Sequence, residues 1–488
     1  MGYPVLSCSS TSISKSGVTK KAVDRGDDLE NGEFGNSARS RLVAQTSVHR
    51  GDRDRRPLIA LAVVIVVFLV LESVIAIRTP AYESADETGH VQNIESLVSG
   101  HWYGMDAPCH LNPQIGLLQC SGDEAQQAPL YYLLFAGWQM VVHQPALSPF
   151  NQRHVTVNPA FFRGTSGIFL HHSDADLRFL LWLRFPNIIL GALTILISFY
   201  AIRLASIDPW TPLVGASFIA FLPRIMFLWP FVTNDNLVDF LGAVFVYLAI
   251  RYALEPNGWR IAALGSVFGL LVLTKLSTLP IALALIGLAC MAAGWKRRAA
   301  FLGIGFLTAL MVSGWYFVQN TVRYGDPLAR RVTAHYLAKI GGLGTPIGVP
   351  YRISDPVKFV VIQVPQRIVE TFWYVSGWNQ FHWSWPITTF LTLVLLAALL
   401  GLIHRKVDRR ILSVLALITL TALLSVWGVA LQSYYQARYA YVGLTALAAL
   451  MALGVERWKL PVRFILPAMA LIGTLIAIQQ DVLAIHWN

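Results

Sequence analysis

Long apolar runs alternate with short polar breaks along most of the chain. The first run, 57–77 (PLIALAVVIVVFLVLESVIAI), is long enough to cross a hydrocarbon core of about 30 Å. Further runs fall at 177–203, 212–232, 235–254, 260–280, 281–294, 299–319, 386–403, 411–431, 440–455 and 462–480. The pattern predicts an all-α, multipass transmembrane bundle of about eleven spans, the pair 260–294 being short and abutting at Pro280. Residues 128–142 (APLYYLLFAGWQMVV) are apolar but short. Reading them as a span would invert everything downstream, so they predict a helix lying on the membrane. Residues 1–56 are polar, lack apolar periodicity and have no signal-peptide core. They predict a disordered, basic cytoplasmic tail ahead of a transmembrane domain over 57–488.

Composition agrees. The chain is 55% hydrophobic and only 13% charged, which excludes a soluble enzyme, a disordered protein and a fibrous one. A net charge of +11 in a soluble protein would raise nucleic acid as a partner. Here the Lys and Arg gather in short loops, KRR at 296–298, HRKVDRR at 404–410 and ERWKLPVR at 456–463. That is the positive-inside pattern. It places the N-terminus in the cytoplasm, membrane lipids rather than nucleic acid around the chain, and the long loops 78–176 and 320–385 outside.

The first of those loops opens RTPAYESADETGH. Glu83, Asp86, Glu87 and His90 are spaced i, i+3, i+4, i+7 and share one face of a helix starting near Ser84. Carboxylates at a helix N-terminus are favoured by its dipole, so a well-capped acidic turn is one reading. Other polar residues collect at the same depth: Arg184 in LRFPN, Arg224 in FLPRIMF, Asn234 and Asp235 between two spans, Lys275 in LTKLS, and Arg438 with Tyr439 in QARYAY. One such charge has a dull explanation, in snorkelling or pairing. Five basic or acidic positions at one level suggest a cavity for an anion carried on a lipid, since phosphate takes Arg and Lys donors. Cys109 and Cys120 share the first outer loop. An oxidising compartment permits a disulfide there, and two free thiols are the other reading. No HExxH, CxxC or Walker A pattern occurs. GIGFLTALMVSG (303–314) reads as small-residue helix packing.

With these residues in place the sequence resembles the GT-C superfamily of multipass glycosyltransferases. Within it, the pattern is nearest to protein O-mannosyltransferase-like and aminoarabinose-transferase-like bacterial proteins. The pieces are, in order, ESADETGH, QAPLYYLL, LRFPNIILGALTILISFYAIRL, TNDNLVDFLG, LLVLTKLS, GWYFVQNTVRYGDPL and QARYAYV. The resemblance implies a GT-C fold in the cell membrane with an extracytoplasmic active site. It also implies a sugar donor on polyprenyl phosphate and a glycan, lipid or protein acceptor. Asp86 then stands as general base, with Glu87 and His90 orienting it. Glu83, Arg184, Arg224, Asn234, Asp235, Lys275, Arg438 and Tyr439 are candidates for substrate contacts. No cofactor is required, although a divalent cation at Asp86 and Glu87 is compatible. Gln126 and Gln127 stand where aminoarabinose transferases carry a Glu-Lys pair, so that family's detailed mechanism does not transfer. A transporter or flippase of lipid-linked sugars is the rival class, because buried charges mark transport paths as well.

Overall fold

The computed structural model describes residues 55–84, 86–102, 104, 109–112, 117–120, 127–142, 156–157, 170–171, 174–333, 355–377, 381–404, 407–430 and 436–483. The tail expected over 1–56 lies almost wholly outside them. Helices dominate: α1 (Arg56–Arg78), α2 (Glu87–Val98), α3 (Leu130–Val141), α4 (Asp174–Ala205), α5 (Thr211–Phe221), α6 (Asp235–Leu254) and α7 (Gly258–Thr274). They continue as α8 (Ile281–Cys290), α9 (Trp295–Tyr324), α10 (Val364–Trp373), α11 (Trp385–Leu400), α12 (Arg409–Ala430), α13 (Leu444–Val455) and α14 (Ile465–Ile478). Strands among the described residues form only two-stranded antiparallel ribbons. In the first of these, Cys109–Asn112 against Leu117–Cys120, the register sets Cys109 opposite Cys120.

Eight helical stretches among the described residues are long and apolar enough to cross a membrane. The remaining three expected spans are shorter helices, and each has a physical cause. The 212–232 run is broken after Phe221 at Pro223, leaving α5 with 11 residues, every one of them buried in protein. The 260–280 run stops at Thr274, because Lys275 adopts extended backbone and a single 3-10 turn follows. The next helix then runs only from Ile281 to Cys290. Helix α3 forms within the segment expected to lie on the membrane, and its 12 residues extend roughly 18 Å, well short of a bilayer core.

The core is threaded by tight backbone contacts. A Cβ at Gly265 of α7 would collide with the Gly305 carbonyl of α9, and one at Gly269 with the Ala309 carbonyl. The small-residue run in α9 is thus what lets these two helices close on each other. Lipid-type side chains point the other way: Val63, Val66 and Val70 on α1 and Leu307, Leu310 and Met311 on α9 are exposed. That is the pattern of a helix bundle solvated by hydrocarbon on its outside.

Candidate active site

The acidic turn is held by one buried arginine. Helix α1 ends at Arg78, and like any helix end it leaves carbonyls without intrahelical partners. Arg184 of α4 collects them. Its Nη1 donates to the carbonyls of Ala76 (2.7 Å) and Thr79 (2.8 Å), and its Nη2 to that of Pro80 (3.0 Å). Its remaining donors grip Glu87 in bidentate fashion, Nε to Oε1 at 2.9 Å and Nη2 to Oε2 at 2.7 Å. Glu87 also accepts the backbone N–H groups of Tyr82 and Val232, both at 3.2 Å. The pair is completely buried. All five Arg184 N–H groups are therefore spent inside the protein. Arg184, a candidate for the substrate phosphate, thus has its donors occupied at the end of α1 and the first turn of α2. Glu87, expected beside the base, belongs to that clamp. Glu83 lies buried in the preceding turn.

The clamp delivers Asp86. This residue sits at the N-cap of α2 with φ +70°, a left-handed conformation that Asp and Asn tolerate better than other side-chain-bearing residues. Its side chain keeps about a third of its surface exposed, and its Oδ2 accepts from Arg438 Nη2 at 2.6 Å. Burial pushes the Asp86 carboxyl upward. The charge of Arg438, His90 and the Arg438 hydrogen bond, with Lys275, outweigh it and hold the group below the usual carboxylate value. One turn on, His90 Nδ1 lies 2.8 Å from the Tyr132 hydroxyl, and the two rings stack at 5.8 Å. Burial is the main cause that drives its imidazole down to about 4, so His90 is neutral at pH 7.

The opposite wall comes from the ends of α6 and α7. Asp235, the first residue of α6, receives Lys275 Nζ at 2.5 Å and Arg438 Nη1 at 3.4 Å. Asn234, before it, donates to the Gln127 side chain at 3.1 Å and to the Thr274 carbonyl at 3.3 Å. Tyr439 lies between the cations, its ring 4.8 Å from Lys275 Nζ and 5.4 Å from the Arg438 guanidinium carbon. Arg438 therefore bridges two carboxylates that lie far apart in sequence, Asp86 and Asp235. Its Nε has no partner among the described residues.

Arg224, a candidate for substrate contacts, has two partners in the protein. It donates to the Val375 carbonyl and to Gln436 Oε1, the residue that opens the 3-10 turn Ala437–Gly443. Through Gln436 it supports the turn that carries Arg438. Tyr132 and Gln436 are not among the candidate residues that the sequence offers, and Gln127 stands out there only as a departure from the Glu-Lys pair of aminoarabinose transferases. The motif QAPLYYLL contains Gln127 and Tyr132, but nothing in it reveals their partners. Among the described residues no group of three or more His, Cys, Asp or Glu gathers as a metal site. The Asp86–Glu87 pair does not fit a divalent cation either, since both Glu87 oxygens and Asp86 Oδ2 already face arginines.

Beside the site, an apolar cleft of about 400 Å³ opens between α3, α4 and α6, lined by Phe135, Trp138, Phe185, Ile189, Leu190 and Leu237 among others. Leu237 lies two residues beyond Asp235 on α6.

No protein-family profile matches the sequence, and no curated protein matches it. Solved structures do. An oligosaccharyltransferase of Archaeoglobus fulgidus, tethered with an acceptor peptide, aligns at TM-score 0.45 and 14% identity over 88% of this chain and 55% of that one. ArnT from Cupriavidus metallidurans bound to undecaprenyl phosphate aligns at 0.48 and 13%, over 88% and 64%. The S. cerevisiae protein O-mannosyltransferase Pmt1–Pmt2 complex bound to the sugar donor aligns at 0.41 and 17%, over 58% and 36%. All three are GT-C glycosyltransferases. The likeness is one of fold. This chain spans less than two thirds of each, and at these TM-scores the alignments carry no argument about substrate or residue roles.

Proposed function

We propose that the chain is a membrane glycosyltransferase that moves a sugar from a polyprenyl-phosphate donor to an acceptor hydroxyl at the extracytoplasmic face. The observation that carries this reading is Arg438 shared between Asp86 and Asp235, with Lys275 alongside, in a bundle that also has an apolar cleft lined in part by Leu237 of α6. The combination pairs a partly exposed carboxylate with cations for a phosphate and a surface for a hydrocarbon chain. A transport path through the bundle accounts for it less well, because the sequence shows no internal repeat and the acidic motif lies in a long loop between spans.

In the reaction the acceptor O–H gives its proton to Asp86 as its oxygen bonds to the anomeric carbon. The bond from that carbon to the phosphate oxygen breaks, its electron pair stays on the phosphate, and the carbon inverts. Lys275 and Arg438 stabilise the charge that develops there. The low basicity of Asp86 in the free site has a consequence. The donor's phosphodiester, a monoanion, arriving at Arg438 and Lys275 offsets part of the charge that depresses the Asp86 carboxyl, so donor binding makes Asp86 a better base. Glu87 and Arg184 position the residue, and neutral His90 borders it. Asp235 keeps the two cations in place. We place the N-terminus in the cytoplasm and the acceptor, whether glycan, lipid or protein, outside.

The test is direct. Membranes enriched in the full chain are incubated with radiolabelled polyprenyl-phosphate sugars. Transfer of label to an acceptor, with release of polyprenyl phosphate, is expected. Movement of intact lipid-linked sugar across the bilayer with no cleavage of the sugar–phosphate bond would replace the enzyme with a transporter.

A further inference from the structure

The turn that presents Arg438 has no cap of its own. Gln436, which precedes the 3-10 turn Ala437–Gly443, makes no side-chain bond to it, and its amide oxygen accepts from Arg224 instead. A helix start leaves its first N–H groups without intrahelical partners, and Ala437 is fully buried. The missing acceptor comes from another element. Thr371 of α10, also fully buried, takes the Ala437 N–H on its Oγ1 at 2.8 Å and donates its own proton to the Arg367 carbonyl at 2.7 Å. The end of α10 has the reverse need. The helix stops at Trp373, which leaves the Phe372 carbonyl among those without an intrahelical partner. Tyr441 fills it, its hydroxyl donating at 2.6 Å and its ring edge-on to Phe372 at 5.7 Å. The turn and the helix end thus complete each other's hydrogen bonds. The two contacts fall one residue before Arg438 and three after it.

We infer that Thr371 and Tyr441 are positioning residues for Arg438, fixing its backbone to α10 so that one guanidinium reaches both Asp86 and Asp235. A side chain that meets two carboxylates at once, at 2.6 and 3.4 Å, has little freedom to absorb a shift of its own backbone. Removing the acceptor of a buried N–H drives such a shift, because the orphaned group is costly until it finds another partner. A displacement of about 1 Å in a catalytic group costs on the order of a hundredfold in rate. The consequence for sugar transfer rests on the glycosyltransferase reading, whereas the hold on Arg438 does not. Were these bonds no more than a brace for the bundle, losing them would cost the same whatever residue stood at 438.

That difference is measurable in the full chain in lipid nanodiscs. Melting is followed by tryptophan fluorescence for Thr371→Val, which keeps the shape and removes the hydroxyl, in the wild-type background and in Arg438→Met. A bond that acts through Arg438 loses part of its effect once the ion pairs are gone. The fall in melting temperature should therefore shrink to about half or less in the Arg438→Met background. Thr371→Ser restores the acceptor and should melt near wild type. Equal falls in the two backgrounds overturn the inference. Should Thr371→Val fail to fold, Tyr441→Phe carries the same cycle at the other contact, with the same two outcomes. Initial rates with a radiolabelled polyprenyl-phosphate sugar give the second readout. Thr371→Val should lower kcat about ten- to a hundredfold and raise the donor KM, and Thr371→Ser should return both. A folded Thr371→Val protein with wild-type kcat and KM also overturns the inference. Coupling in the melting cycle, with no transfer by the wild type, would remove the glycosyltransferase reading and keep the hold on Arg438. Transfer without coupling would do the reverse.

Discussion

Arg438 Nη2 rests 2.6 Å from Asp86 Oδ2 although 352 positions separate the two residues in the chain. The same guanidinium reaches Asp235 Oδ2 at 3.4 Å. A cation held by two carboxylates, one of them partly open to solvent, is neither a snorkelling arginine nor a simple buried pair.

The clamp behind the site should matter for folding more than for chemistry. Arg184→Met strands a buried Glu87 carboxylate and should destabilise the purified protein by roughly 3–5 kcal/mol, the range for breaking a buried pair. Glu87→Gln should cost less, because the amide still accepts. Melting of the detergent-solubilised chain followed by tryptophan fluorescence reads both. An unshifted melting temperature in Arg184→Met would contradict the clamp.

His90 gives the protein a pH signature. Its folded value, about 4, lies below the ordinary 6.5 because burial disfavours the imidazolium. Between those values the unfolded chain binds a proton that the native chain refuses, so stability falls as pH drops from 6.5 towards 4. At about 1.4 kcal/mol per unit the loss is on the order of 3 kcal/mol. A His90→Gln variant should show a flatter stability profile across that window. An unchanged slope would mean that His90 is not the group responsible.

Cys109 and Cys120 face each other across an antiparallel ribbon. In an oxidising compartment they are expected to be bridged, which should stabilise the chain by about 2–4 kcal/mol. Non-reducing mass spectrometry of a tryptic digest should show the linked peptides. Two alkylatable thiols in native membranes would count against the bridge.

The basic loops predict that Lys296 faces the cytoplasm and Asp326 the outside. Single-cysteine variants at the two positions, labelled in intact cells with a membrane-impermeant maleimide, should react at 326 and not at 296. The opposite result would reverse the orientation and move the site to the cytoplasmic face.

Much of the architecture could be read from the apolar runs, because eight of them are long and uninterrupted enough to form spans by themselves. The three that differ are short for reasons of packing. Helix α5 needs no lipid-facing length because protein surrounds it, and α7 stops where Lys275 turns toward Asp235. The polar residues at one depth were also visible, and Asp86, Asp235, Lys275, Arg438 and Tyr439 do come together. Their division of labour was not visible. Arg184 and Arg438 look alike in sequence, each a single cation in an apolar setting. Only the fold brings the carbonyls of Ala76, Thr79 and Pro80 to Arg184 and leaves Arg438 Nε without a partner among the described residues. The neighbours that shape the site, Gln127, Tyr132 and Gln436, are uncharged, and periodicity carries no information about which uncharged side chain meets which.

The central claim is that Asp86 accepts the proton of the attacking hydroxyl, and Asp86→Asn tests it most directly. Asn is at home at φ +70° and nearly matches Asp in size, so expression and melting should stay near wild type. Initial rates of sugar transfer from a radiolabelled polyprenyl-phosphate donor, measured at saturating donor in purified wild type and variant, decide the matter. The account predicts a rate lower by roughly two to four orders of magnitude, the span of a lost general base, with donor binding retained. A folded Asp86→Asn protein that keeps more than about a tenth of wild-type transfer would contradict it.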